Sequence, residues 1–544
     1  MGRPHESQGM VCAAHPAATQ AGLEMLQRGG NAVDAALAIS FTLNVVEPYA
    51  SGLGGGGFMT LWLPDNEADS PTARFGNGRV LCLDFRESAP AAATPDHYYG
   101  TGQSVHDLTL HGPLAVAVPG MPGGLAHAAA HFGLLSRQTL APMIAPAIRH
   151  AERGIIVTPK MARHFAAYHD LLSRYPTTAR IFTRSQGPIP AGTLLRQPEL
   201  AQTLAHISEA GLEAFGQGTF AHRLGRFMAT RGGLVTANDL AAYRPHERPI
   251  IRGTYRGHTL LTTPPPSTGG MRLLQVLNVL ERYPVRDWGP HAADTIHLIA
   301  EALKASFAAG ERHIADPATL AAIPMDELID KAWAAGLSRS LSLDQANPAF
   351  VRDSSPDDGQ GCTTHYSIID RWGNIVSATQ TIGLFWGSGM VLDGTGLLLN
   401  NEMNDFSEGR SHLNAVAPGK IPRSHMCPTL VLKDDRPFMV LGSPASHRIP
   451  SAVLQTLCNV IDHDMDLAAA VAAPRVHWQD GVLHLEAGIQ PQVAAQLEHK
   501  GHAVRRYAAK NRYFGGVHAI RINPQSGALN GAADPRRDGQ AMGY

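Results

Sequence analysis

Apolar and polar positions along this chain follow two periods, that of helices and that of strands. Met10 to Ala14 is a short buried run and reads as a strand. Pro16 opens a helix that runs to about Arg28 and stops at Gly29-Gly30. Asn31 caps a second helix, with Asp34 in its first turn. Val33, Ala36, Leu37 and Phe41 leave that helix apolar nearly all round, so it is buried, and it ends before Glu47-Pro48. Phe58 to Leu63 and Arg79 to Phe85 read as strands, and Val116 to Val118 as a strand leading through a turn into a helix. From there to about Arg312 the pattern is mainly helical. Ser267 or Thr268 starts a helix carrying Leu273, Leu274, Leu277 and Leu280 on one face, and Asp294 caps the next, which ends near Asp316-Pro317.

The later part turns toward strands. A polar run, 353–361, precedes Tyr366 to Asp370, which reads as a strand; Arg371-Trp372-Gly373-Asn374 is a tight turn and Ile375 to Thr381 the returning strand. Met390 to Asn400 reads as two short strands around Asp393-Gly394-Thr395-Gly396. A strand ends in Leu441-Gly442, and helix then alternates with strand to the end.

Composition narrows the picture. The chain has 544 residues and a formal net charge of -1, so no charge bias points to nucleic acid or to an anionic membrane. No apolar run approaches the ~18 residues of a membrane span. The five cysteines are scattered, without a CxxC pair, which implies neither zinc site nor disulfide framework and favours a reducing compartment. The first residues lack the apolar stretch of a secretory signal, so the expected location is cytoplasmic.

The candidate chemistry lies where the polar run meets the hairpin, Gly361-Cys362-Thr363-Thr364-His365. A buried strand that starts with Thr-Thr after a polar tether is a place where a chain can be cut. Cleavage before Thr363 would give it a free α-amine, which titrates near ~8 and can act as base for its own hydroxyl. Upstream, the glycines of Ser51-Gly52-Leu53-Gly54-Gly55-Gly56-Gly57-Phe58 let backbone approach backbone or ligand, but no Lys-Ser or Lys-Thr follows to make a phosphate loop. Arg86 ends a core strand, where it can grip a carboxylate or pair with Glu87.

These words together resemble the γ-glutamyltranspeptidase family of N-terminal nucleophile hydrolases. The resemblance rests on Cys362-Thr363-Thr364-His365-Tyr366-Ser367, Gly29-Gly30-Asn31-Ala32-Val33-Asp34-Ala35, the glycine run, Arg86-Glu87-Ser88-Ala89-Pro90 and Ala533-Asp534-Pro535-Arg536-Arg537. It implies an α+β fold, a four-layer αββα sandwich. It implies self-cleavage at Cys362–Thr363 into a large subunit, 1–362, and a small one, 363–544, which share one core as a heterodimer. The mature Thr363 would take the acyl group from a γ-glutamyl amide such as glutathione and pass it to water or an amine. By the same resemblance Thr381 bonds the nucleophile's oxygen. Arg86 and Ser424 hold the substrate's α-carboxylate, Glu402 and Asp405 its α-amino group, and the backbone of Ala445 and Ser446 forms the oxyanion hole.

The chain departs from the family pattern in several places. His425 replaces the second serine of a Ser-Ser pair, and Gly383 replaces an asparagine. Ala445-Ser446 replaces two glycines, and the segment from Phe406 to Asn414-Ala415-Val416 is too short for the usual lid. His365, His425 and His447 lack ligand spacing and read as packing or substrate contacts; no metal or cofactor is expected. Arg86, Asp405 and Glu402 favour a γ-glutamyl substrate. Gly383, His425 and the short lid favour the same nucleophile with another acyl specificity, similar to cephalosporin acylases or oxamate amidohydrolases. An uncleaved binding protein is the remaining reading, opposed by Thr363 and Thr381.

Overall fold

A computed structural model describes residues 8–65, 77–348 and 361–544. Most of the expected polar tether, 353–360, therefore lies outside the described residues. Thirteen strands build two sheets. In chain order they are β1 (Met10–Ala13), β2 (Gly56–Pro64), β3 (Gly78–Phe85), β4 (His246–Arg248), β5 (Ile251–Tyr255), β6 (His258–Thr262), β7 (Thr364–Ile369), β8 (Ile375–Thr381), β9 (Thr429–Lys433), β10 (Arg436–Gly442), β11 (His518–Ile522), β12 (Leu529–Ala533) and β13 (Gln540–Gly543). The first sheet runs β13-β1-β7-β8-β2-β3-β4 and the second β12-β11-β10-β9-β6-β5. Every neighbouring pair is antiparallel.

The two-residue period of the strands decides how the sheets stack. In β7 and β8 the side chains of Tyr366, Ile368, Val376 and Ala378 join a cluster with α1 (Pro16–Gln27), α2 (Ala32–Val46) and α3 (Ala141–Arg153). The alternate positions face the other sheet: Ile369 and Ile375 pack with Leu261, Leu432, Val440 and Ile520. On the far side, α4 (Gly269–Leu280), α5 (Ala293–His313) and α6 (Ile449–Ile461) cover the second sheet. The result is the expected four-layer αββα sandwich. Strands from both sides of residue 363 occur in each sheet and interleave in the first, so 1–362 and 363–544 contribute to one core.

Several expectations need correction. Val116 to Val118 forms no strand; a single bridge joins Val118 to Ser88 before the helix Met121–Phe132. The stretch read as mainly helical contains β4 and the hairpin β5–β6. Its turn is Arg256-Gly257, with φ of 48° and 76°, as a tight hairpin turn requires. Asp294 does not cap α5; it lies in the first turn and pairs with Lys500 Nζ at 3.0 Å. Met390 to Asn400 holds one bridge, Val391 to Leu398, rather than two strands. Asn31 caps α2 as expected, and Asp34 completes a capping box with it.

Candidate active site

The β7–β8 register places the candidate nucleophile. Thr364 pairs with Gln380, so the next step along the ladder sets Thr363 opposite Thr381 at the sheet's edge. Both threonines are buried. The chain is continuous here, and the bond expected to break is held by its own surroundings. The Thr363 hydroxyl contacts the Cys362 carbonyl oxygen, and Thr381 Oγ1 donates to that same oxygen at 2.8 Å. Thr381 Oγ1 also accepts from Gly383 N at 3.0 Å, which fixes its rotamer. A donor on the carbonyl and a hydroxyl beside it is the arrangement an N-to-O acyl shift requires. The flanking residues are pinned: Thr364 Oγ1 donates to Glu47 Oε2 at 2.9 Å, and Cys362 Sγ to the Tyr49 carbonyl at 2.9 Å.

Ala445 and Ser446 have φ of 102° and 48°, so they keep the left-handed backbone that glycine usually supplies. Among the described residues neither N–H makes a hydrogen bond, leaving two donors for an oxyanion. They stand close to the cleavage strand: a Cβ on Gly361 would lie 2.3 Å from Ser446 Cβ.

Arg86 ends β3 at the same edge. Strand pairings Thr381 with Gly56 and Gly57 with Phe85 link it to β8. It is 1% exposed, and its guanidinium meets three acids. Nη1 lies 2.7 Å from Glu402 and 3.3 Å from Glu87, and Nη2 contacts Asp405. Nη2 also donates to the Arg423 carbonyl at 2.9 Å, beside Ser424. Of the pairings considered from sequence, the one with Glu87 is present; the ties to the two loop acids come from the tertiary structure. Burial pushes Glu402 well above the ordinary carboxylic acid range, and pushes Glu87 up to about 8, against the pull of Arg86. Burial thus opposes the charge of two of the three acids around Arg86. A cation set beside acids is complementary to a carboxylate and an ammonium on one carbon. Arg86 Nε and Glu87 Oε1 have no hydrogen-bond partner among the described residues.

Ser424 is buried and bridges to Ser267, its carbonyl accepting from Thr268 N at 2.8 Å. His425 turns toward α4 and its cap. Arg272 Nη1 donates to Nδ1 at 2.9 Å, so the ring proton sits on Nε2, and burial beside His447 holds the imidazole well below its usual pKa. The rings of His425 and His447 lie 3.8 Å apart, tilted by 48°, whereas His365 bonds Thr379 at 2.8 Å between the sheets; the three do not meet. Gly383 has a local reason: a Cβ there would lie 2.1 Å from Asn401 Oδ1, which accepts from Leu384 N at 2.8 Å. Asn401, Glu47 and Arg272 were not singled out from sequence, since each acts through tertiary contacts that no local pattern marks.

One group of metal-type donors occurs among the described residues, His297, Glu301 and His502. Its atoms are already used: His297 Nδ1 and His502 Nε2 share a hydrogen bond of 2.8 Å, and Glu301 holds Lys304 Nζ at 2.6 Å.

Comparison with known proteins agrees with this geometry. The model of the γ-glutamyltranspeptidase family matches residues 18–544. A glutathione hydrolase proenzyme of Escherichia coli (strain K12) is 37% identical, across 99% of this chain and 92% of its own length. An acylase ACY 1 proenzyme of Pseudomonas sp. (strain SE83) is 39% identical, across 98% of this chain and 93% of its own. The crystal structure of a cephalosporin acylase from Bacillus halodurans superposes with a TM-score of 0.89 at 29% identity, covering 100% of this chain and 98% of that one. With an αββα core, a buried threonine at the mouth of its central hairpin and a match across nearly its whole length, the chain belongs to the γ-glutamyltranspeptidase family.

Proposed function

We propose that this protein is a self-processing threonine hydrolase that cleaves γ-glutamyl amide bonds and passes the acyl group to water or an amine. In processing, Thr363 Oγ1 attacks the Cys362 carbonyl carbon. The C–N bond breaks, the hydroxyl proton ends on the new amine, and water then splits the ester. The freed α-amine becomes the base for the same hydroxyl. In turnover, Arg86 and Ser424 hold the acyl head's carboxylate, Asp405 with Glu402 its ammonium, and the N–H groups of Ala445 and Ser446 the oxyanion. After the cut the two pieces stay together, a reading supported by the interleaved strands.

The observation that carries this reading is the shared sheet edge, which presents Thr363 with Thr381 and, on the same side, Arg86 with its acids. The test is intact mass of the purified protein beside Thr363→Ala, followed by a γ-glutamyl anilide assay. Two fragments parting before Thr363, absent from the variant, together with anilide turnover, are expected. An uncut chain under all conditions would overturn the proposal. The adjoining rings of His425 and His447 favour a second reading, in which the same nucleophile takes a bulkier acyl group. Turnover of an adipyl or glutaryl amide with no γ-glutamyl activity would select it. Five unpaired, buried cysteines support a reducing compartment as the place of action.

A further inference from the structure

The loop that carries Asp405 is fastened from the other side of the expected cut. Glu311 lies in the last turn of α5, before residue 363, and its two carboxylate oxygens reach two residues that follow it. Oε1 pairs with Arg423 Nη1 at 2.7 Å, and Oε2 accepts from His412 Nε2 at 3.1 Å. Asn414 N donates to His412 Nδ1 at 3.0 Å, so the ring proton sits on the nitrogen that meets Glu311. Arg423 is 3% exposed, and among the described residues Glu311 is the one acid within ion-pair distance of it. Burial opposes the charge of Glu311, but His412 and Arg423 outweigh it and hold the carboxyl well below the usual carboxylate range.

Arg423 carries this anchor to the residues around Arg86. Its Nη2 donates to Ser407 Oγ at 2.8 Å, its backbone N–H to Asn414 Oδ1 at 3.1 Å, and its carbonyl accepts from Arg86 Nη2 at 2.9 Å. Asn414 Nδ2 in turn donates to the Asp405 carbonyl at 2.8 Å, and Ser407 N to the Asn414 carbonyl at 3.0 Å. Arg86, Asp405 and Ser424, the residue after Arg423, thus hang on one network whose far end is Glu311. The stretch 406–416 forms neither helix nor strand, so contacts of this kind, not a backbone ladder, hold its shape. Tyr99 braces the same stretch through the Ser407 carbonyl and Val416 N, without charge.

We propose that Glu311 is a positioning residue for the acyl-head pocket, supplied by the large subunit to a loop of the small one. With its carboxylate in place, Arg423 stays occupied, and Asp405 and Glu402 remain available to the substrate's ammonium. Without it the buried guanidinium loses its acid, a costly state that Arg423 relieves by moving toward the loop acids. The loop shifts with it and grips the acyl head less well, while Thr363 and Thr381 keep their geometry. This inference rests on the reading of Arg86, Asp405 and Ser424 as the holders of that head.

The test compares Glu311→Gln and Glu311→Asp with the wild type as mature enzymes, using γ-glutamyl-4-nitroanilide. In Glu311→Gln, KM is expected to rise about tenfold, the effect of losing one hydrogen bond to a charged group, with kcat and the rate of self-cleavage unchanged. Glu311→Asp keeps the charge at shorter reach, and its KM should fall between the two. An unchanged KM in a folded Glu311→Gln overturns the proposal. So does an equal slowing of turnover and self-cleavage, which marks a general loss of structure. If Glu311→Gln does not fold, Glu311→Asp is read in its place, and a KM equal to that of the wild type overturns the proposal. If the wild type leaves the anilide intact, the acyl-head reading has failed, and amide hydrogen exchange decides instead. Exchange across 405–424 should then be about tenfold faster in Glu311→Gln, with none of that change in the β7–β8 hairpin; equal rates in the two proteins overturn the anchor.

Discussion

Replacing Thr381 with valine isolates the chemistry of the cut. The side chain keeps its branched shape and loses the hydroxyl, which donates to the Cys362 carbonyl at 2.8 Å and accepts from Gly383 N at 3.0 Å. The first loss acts on the rate. As Thr363 attacks, negative charge grows on that carbonyl oxygen, and removing one well-placed oxyanion donor costs about 10²–10³ in rate, or roughly 2.7–4 kcal/mol. The second loss acts on stability. An N–H left without its acceptor costs about 1–3 kcal/mol when buried, and Gly383 is only partly buried, so the lower end applies. The expected outcome is a folded precursor that cuts itself at least a hundredfold more slowly. Intact mass over time follows the cut, with Thr363→Ala as the uncut reference. Thermal melts of Thr381→Val and of the double variant with Thr363→Ala separate folding from rate. A folded Thr381→Val that matures at the wild-type rate would refute the role given to this hydroxyl, and leave the contact as packing.

Two further predictions test the neighbouring geometry. Gly361→Ala would put a Cβ 2.3 Å from Ser446 Cβ, so the strand must shift by about 1 Å, and a misplacement of that size can slow the reaction ~100-fold; a gel time course showing undiminished cleavage would contradict this. Glu87 keeps its proton up to about 8 when folded, whereas an ordinary glutamate loses it near 4.5. Between those values the unfolded chain binds fewer protons, so this residue makes stability fall as pH rises from about 5 to 8. Melts of Thr363→Ala across that range should fall less steeply once Glu87→Gln is added, and equal slopes would sink the assignment.

Much of the machinery could be read from local words. The capping of α2, the hairpin around Arg371 to Asn374, and the threonine after a polar run each follow from short-range rules, because turn chemistry and strand alternation are local. The β5–β6 hairpin was equally legible, since Arg256-Gly257 between alternating apolar residues is a turn signal. It was hidden only by the helices around it. Val116 to Val118 misled for the opposite reason: an apolar word says that a segment is buried, not that a partner strand exists beside it.

The sequence by itself determined the chemical inventory and its order along the chain: a Thr-Thr start to a buried hairpin, an arginine ending a core strand, and acids on a later loop. Tertiary structure decided what these groups do together. Strand pairing, not sequence distance, brings Arg86 to the edge that carries Thr363. Burial, which depends on every layer of the sandwich, raises Glu87 and Glu402 against the pull of Arg86. The same holds for the departures from the family pattern. Ala445 and Ser446 keep a glycine-like backbone, and Asn401 takes the space beside Gly383, because backbone conformation and volume are set by all the neighbours at once.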